Sequence, residues 1–128
     1  ICPTSLAFMT QALNQLSDSE LADVAGLFVS VDPRDTPEQL AGYVGYFHNR
    51  LIGLVGTDTE IAAAAKLYGA KYYEVEMKGS AFGYAVNHSS ATYLITPEGE
   101  LRFIFPHSTP FSVMTEAVRY LLKEQKTL

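Results

Sequence analysis

Cys2 is the only cysteine of the 128-residue chain, and Pro3 follows it directly in the opening ICPTSL. Proline suits the first turn of a helix, where its missing N–H costs nothing, so Cys2 stands just ahead of a helix start. The positive end of the helix dipole favours thiolate over thiol there, a reactive or metal-binding setting. A free cysteine also serves as a small inert apolar group, and position alone leaves both roles open. His88, in VNHSSATYLI, stands in the loop just before a hydrophobic strand and offers a second donor type. His48 in the last turn of a helix and His107 in FPHST read as structural. Asp32 and Asp35 in VDPRDTPE lie at the carboxyl end of a strand, the edge where ligand sites of open α/β sheets gather. They could bind a hard cation or steer a basic partner, and turn and cap chemistry accounts for them as well. Met9, Met77 and Met114 lack the close spacing of copper-capturing methionines. The chain holds no Gly-rich phosphate loop, no Ser-His-Asp signature and no Cys-x-x-Cys pair.

Apolar spacing predicts the elements that must position these groups. Leu6, Met9, Leu13 and Leu16 mark an amphipathic helix from Pro3 to Leu16. VAGLFVSV, from Val24 to Val31, reads as a parallel strand buried on both faces, closed by the DPRDTP turn. Thr36 caps a second helix that buries Leu40, Tyr43, Val44 and Phe47 and ends near Asn49. A brief apolar segment at Leu51 leads to an Ala-rich helix over Asp58 to Tyr68, stopped by Gly69. Lys71 to Tyr84 reads as a loop or partial hairpin, and Pro97 to Glu100 turns a hairpin between two strands. Phe111 to Lys126 closes the chain as a helix with Val113, Met114, Ala117, Val118, Leu121 and Leu122 inward.

This order fits one thioredoxin-like α/β sandwich over residues 1–128, lacking one early strand. In such a layout a central strand precedes the first helix and delivers the cysteine to its N-terminus. Without it the neighbouring strands expose rows of unpaired backbone groups, so residues upstream of Ile1 are expected to supply it. The layout also turns the loop of His88 towards Cys2.

Composition narrows the partners. A net charge of −5, from 9 basic and 14 acidic residues, opposes phosphate-backbone binding and excludes nucleic acid as a partner. No apolar run reaches the roughly 18 residues of a membrane span and no signal-peptide pattern opens the chain, which reads as soluble. One cysteine forms no internal disulfide and so leaves the redox compartment open.

CPTSL, VSVDPRDTPEQL, KLYGAKYY and VNHSSATYLITPEGELRFIFPH, in this order and at these separations, resemble the Sco/SenC family of copper-handling proteins. The resemblance runs over nearly the whole chain. It implies a thioredoxin-like fold, a membrane tether upstream, and a place in the bacterial periplasm or the mitochondrial intermembrane space. It implies a role in loading the dinuclear copper site of cytochrome c oxidase, with the oxidase's copper-site subunit, other copper carriers and thiol reductants as partners. By the same resemblance, copper is held by a Cys-x-x-x-Cys-Pro pair and a distant histidine. Cys2 matches the second cysteine and His88 the distant ligand. The first cysteine belongs four positions before Cys2, outside this chain, and Asn87 stands where the family usually has aspartate. A neutral amide in place of a charged neighbour alters copper affinity or redox preference more than it abolishes binding. Thiol-disulfide reduction of the oxidase's copper-site cysteines and copper or redox sensing are the alternative functions, with peroxidase chemistry further behind.

Overall fold

Four of the five helix starts in the computed structural model, which describes residues 3–76, 84–88 and 91–127, follow from local chemistry. α1 (Pro3–Asn14) begins with its proline in the first turn. Ser17 then caps the short α2 (Asp18–Leu21): its hydroxyl accepts from the Glu20 N–H while the Glu20 carboxylate accepts from the Ser17 N–H. α3 (Pro37–Phe47) carries the Thr36 cap, and α4 (Asp58–Tyr68) starts on the reciprocal pair Thr57 and Glu60. Gly69, at φ 74°, takes the left-handed conformation that stops α4 and turns the chain into the next strand. α5 (Phe111–Thr127) ends the described fold.

The strands form three two-stranded ladders. β1 (Gly26–Val29) and β2 (Leu51–Leu54) are parallel with α3 as crossover, Gly26 standing opposite Leu51 and Val29 opposite Leu54. β3 (Tyr72–Glu76) and β4 (Tyr84–His88) are antiparallel, which agrees with the partial-hairpin reading of this stretch, residues 77–83 lying outside the described residues. β5 (Thr92–Ile95) and β6 (Leu101–Phe105) are antiparallel around the Pro97 to Glu100 turn, closed by Thr96 bonds and by Gly99 at φ 89°. Among the described residues, each strand pairs along one edge only.

α1 joins the two halves. Leu6, Leu13 and Leu16 pack with Leu40, Val44 and Leu51, while Ala12 packs with Phe105 and Met114. The Met9 sulfur and Leu13 lie 3.3 and 3.6 Å from where a Cβ on Gly26 would project. The second half of α1 therefore covers the amino end of β1.

Three expectations change on contact with the structure. β1 is not buried on both faces: Leu27 is 52% and Val29 42% exposed, beside Ile52 and Leu54 of β2. Helices α1 and α3 cover one face of this ladder and leave those four apolar side chains outside. Val113 is exposed and Thr115 is buried in its place. The Thr115 hydroxyl sits between the Ala12 and Phe111 carbonyls at 3.2 and 3.0 Å, which rotates α5 onto α1 around that bond. His88 is the last residue of β4 rather than part of a loop.

Arg119 of α5 binds Glu20 at 3.1 Å and the Gln15 carbonyl at 2.7 Å, clamping α5 to the corner between α1 and α2. The Ser17 N–H, then Arg119, hold the Glu20 carboxyl down at about 2, against an ordinary 4.5. A carboxylate whose pKa is depressed on folding stabilises the fold above its unfolded pKa and loses that contribution as pH falls through the folded one. Glu20→Gln is therefore expected to lower the melting temperature at neutral pH, with the deficit shrinking from about pH 4.5 and gone near pH 2. Paired thermal melts across that range measure it. A deficit constant with pH would mean the charge contributes nothing.

Candidate metal and docking site

β1 and β2, being parallel, send their following loops to the same edge. There Ser30, Asp32 and Asp35, which follow β1, face Val55, Thr57 and Asp58, which lead into α4, across a cavity of about 350 Å3 that Tyr72 of β3 also lines. The Ser30 N–H donates to the Leu54 carbonyl at 2.9 Å and carries the ladder one step beyond β1. Its hydroxyl donates to Asp35 at 2.5 Å and accepts from the Asp32 N–H at 3.2 Å. Asp32 accepts from the Arg34 N–H and Nε at 2.9 Å each and from Nη2 at 2.7 Å. That fork, with burial opposing it, holds the Asp32 carboxyl below the usual carboxylate range.

Both aspartates thus have local partners that shape the turn, and the carboxylates of Asp58 and Glu60 add negative charge to the same wall. Charge alone does not make a metal centre. Among the described residues no group of three or more His, Cys, Asp and Glu side chains is placed to hold an ion.

Of the donors singled out from the sequence, Cys2 lies outside the described residues, directly before the first residue of α1. The backbone of His88 is placed: it ends β4, with its Cα opposite that of Tyr72 in the ladder, and Asn87 stands opposite Tyr73. Because opposite residues of an antiparallel pair share a face, position 88 belongs to the hairpin face on which Tyr72 stands. Tyr72 ties that hairpin to the cleft. Sequence reasoning missed Tyr72, and only the pairing register could have revealed it.

Of the other histidines, His48 has a structural partner. His48 caps the end of α3, and its Nδ1 accepts from the Arg50 N–H at 2.9 Å. Arg50 in turn donates to the Val24 carbonyl at 2.6 Å, holding the entry to β1. His107 is exposed in the turn after β6. Met114 is in the core with Ala12 and Phe105, Met9 packs against the separate cluster of Leu6, Leu13 and Leu40, and Met77 lies outside the described residues. No helix among the described residues is long and apolar enough to cross a membrane.

Comparison with known proteins supplies the context. The SCO1/SenC family profile matches residues 1–123. Protein SCO1 homolog 1, mitochondrial, of Arabidopsis thaliana is 40% identical over 99 residues, covering 77% of this chain and 29% of that protein. Protein SCO2 homolog, mitochondrial, of Bos taurus is 37% identical over 121 residues, covering 93% and 45%. The chain thus spans less than half the length of these relatives. Among solved structures, Arabidopsis thaliana ScoI with copper bound superposes with a TM-score of 0.84 at 33% identity, covering 96% of this chain and 76% of that one. Bradyrhizobium japonicum ScoI with copper bound gives a TM-score of 0.79 at 29% identity, covering 93% and 74%. The fold is accordingly thioredoxin-like α/β.

Proposed function

Because the chain belongs to the SCO1/SenC family, we propose that it is a copper carrier, binding the metal through Cys2, a cysteine four positions upstream of it, and His88. The observation that carries this reading is the fold shared with copper-bound relatives over nearly the whole chain, with Cys-Pro heading α1 and a histidine ending β4. Two thiolates and an imidazole suit Cu(I) in three-coordinate geometry and can also hold Cu(II), so the site can take up and release copper in either oxidation state. The thiols bind only when reduced, and their oxidation to a disulfide by a thiol-disulfide partner releases the metal. Asn87, in place of a carboxylate, tunes affinity or redox preference from beside the ligand.

The recipient is the dinuclear copper site of cytochrome c oxidase during its assembly. The working place is the bacterial periplasm, with a tether to the inner membrane upstream of the chain, or the mitochondrial intermembrane space. The acidic edge at Asp32, Asp35 and Asp58 offers a basic partner a docking face.

Competition for Cu(I) against a chromophoric chelator tests the carrier function, using the domain extended upstream of Ile1 through the expected cysteine. The expected result is one copper per chain, withdrawn from the chelator in the reduced protein and returned on oxidation. Copper left entirely with the chelator would end this reading.

A further inference from the structure

Resting on the reading of His88 as a copper ligand, we propose that Tyr72 is the positioning residue for that ligand, holding it through the β3–β4 ladder. Tyr72 and His88 are the paired residues at one end of this antiparallel ladder, as Glu76 and Tyr84 are at the other. Directly opposite residues have their Cβ atoms about 4.5–5.5 Å apart on one face, close enough for an aromatic ring to limit where its neighbour can swing. His88 is the final residue of β4. Tyr72 is anchored from the other direction. It follows within three residues of Gly69, whose left-handed turn ends α4, and it lines the cavity that the start of α4 also borders.

One residue therefore links the helix, the cleft and the ladder position of the ligand. A metal site needs its donor held in one orientation, since each alternative orientation of a free side chain lowers the fraction competent to bind. The ring, rather than the hydroxyl, supplies this restraint.

Cu(II)-loaded protein, extended upstream as above, gives the test through its electron paramagnetic resonance spectrum and through chelator competition. Tyr72→Val keeps a strand-forming residue but removes the ring. It is expected to shift the copper hyperfine lines and weaken binding about tenfold, the lower range for loss of a group that orients a ligand. Tyr72→Phe is expected to return both to wild type, which a generally weakened fold would not do. Wild-type lines and affinity in Tyr72→Val, with His88→Ala altering both, would overturn the positioning role and leave the ligand reading standing. An unaltered His88→Ala spectrum would remove the ligand reading, and the role of Tyr72 with it. If circular dichroism shows that Tyr72→Val does not fold, Tyr72→Trp takes its place: a ring of different size must move the same lines, and unmoved lines overturn the proposal.

Discussion

Cu(I) affinity is expected to fall by more than about 100-fold when His88 is replaced by alanine, and at least as far when Cys2 is replaced by serine. Removing an outer partner of a metal ligand typically costs 10- to 100-fold, so removing the ligand itself lies beyond that range. Serine offers a hard oxygen whose proton is not lost near neutral pH, a poor exchange for a thiolate facing Cu(I). The two variants also separate the functions that share the cysteine pair. A thiol-disulfide reductase acting on the oxidase's copper-site cysteines needs Cys2 and its partner but has no use for an imidazole donor. If His88→Ala retains wild-type Cu(I) affinity while Cys2→Ser loses it, the copper-carrier function gives way to the reductase. Competition titrations on the three proteins, together with the rate at which each reduces a dithiol target in the oxidised state, read out both activities.

Much of the fold was legible because local chemistry decides it. Thr36 and Gly69 bound their helices where cap preferences place them, and Pro97 to Glu100 turns where its residue types demand. What escaped depends on which neighbour wins. An apolar strand such as Leu27 to Val29 reads the same whether one face or two are covered, and the Leu27, Val29, Ile52 and Leu54 face is the one that α1 and α3 do not reach. The periodicity of α5 places Val113 inward, yet one hydroxyl bond from Thr115 to the Ala12 carbonyl decides the rotation. The short α2 carried a readable sign, since Ser17 followed at three residues by Glu20 is a capping box, but four residues give no periodicity to draw attention to it.

The candidate site divides the same way. Donor types and the turn aspartates are properties of residues and were visible, whereas the opposition of Tyr72 to His88 is a property of register and was not.

The packing of α3 on β2 turns on one absent side chain. A Cβ at Gly53 would stand 2.6 Å from Leu40 Cγ and 2.9 Å from its Cδ2, well inside contact distance. Leu40 itself is 2% exposed and belongs to the core formed with Leu6, Val44 and Leu51. Gly53→Ala is therefore expected to destabilise by about 1–3 kcal/mol, the usual cost of forcing extra volume into a packed core. Leu40→Ala is expected to cost about 2–5 kcal/mol through the cavity it leaves. Because the added methyl occupies part of the space that the leucine vacates, the double variant should lose less than the sum of the two, by about 0.5–3 kcal/mol. Urea unfolding of the four proteins closes the cycle. Strict additivity would show that β2 shifts away from α3 to accommodate the methyl, and that the close approach of strand and helix is a consequence of the glycine rather than a requirement of the fold. A positive coupling places the requirement in the helix: Leu40 needs the space above position 53, and that seat fixes how β2 presents the loop toward Thr57 at the edge of the cleft.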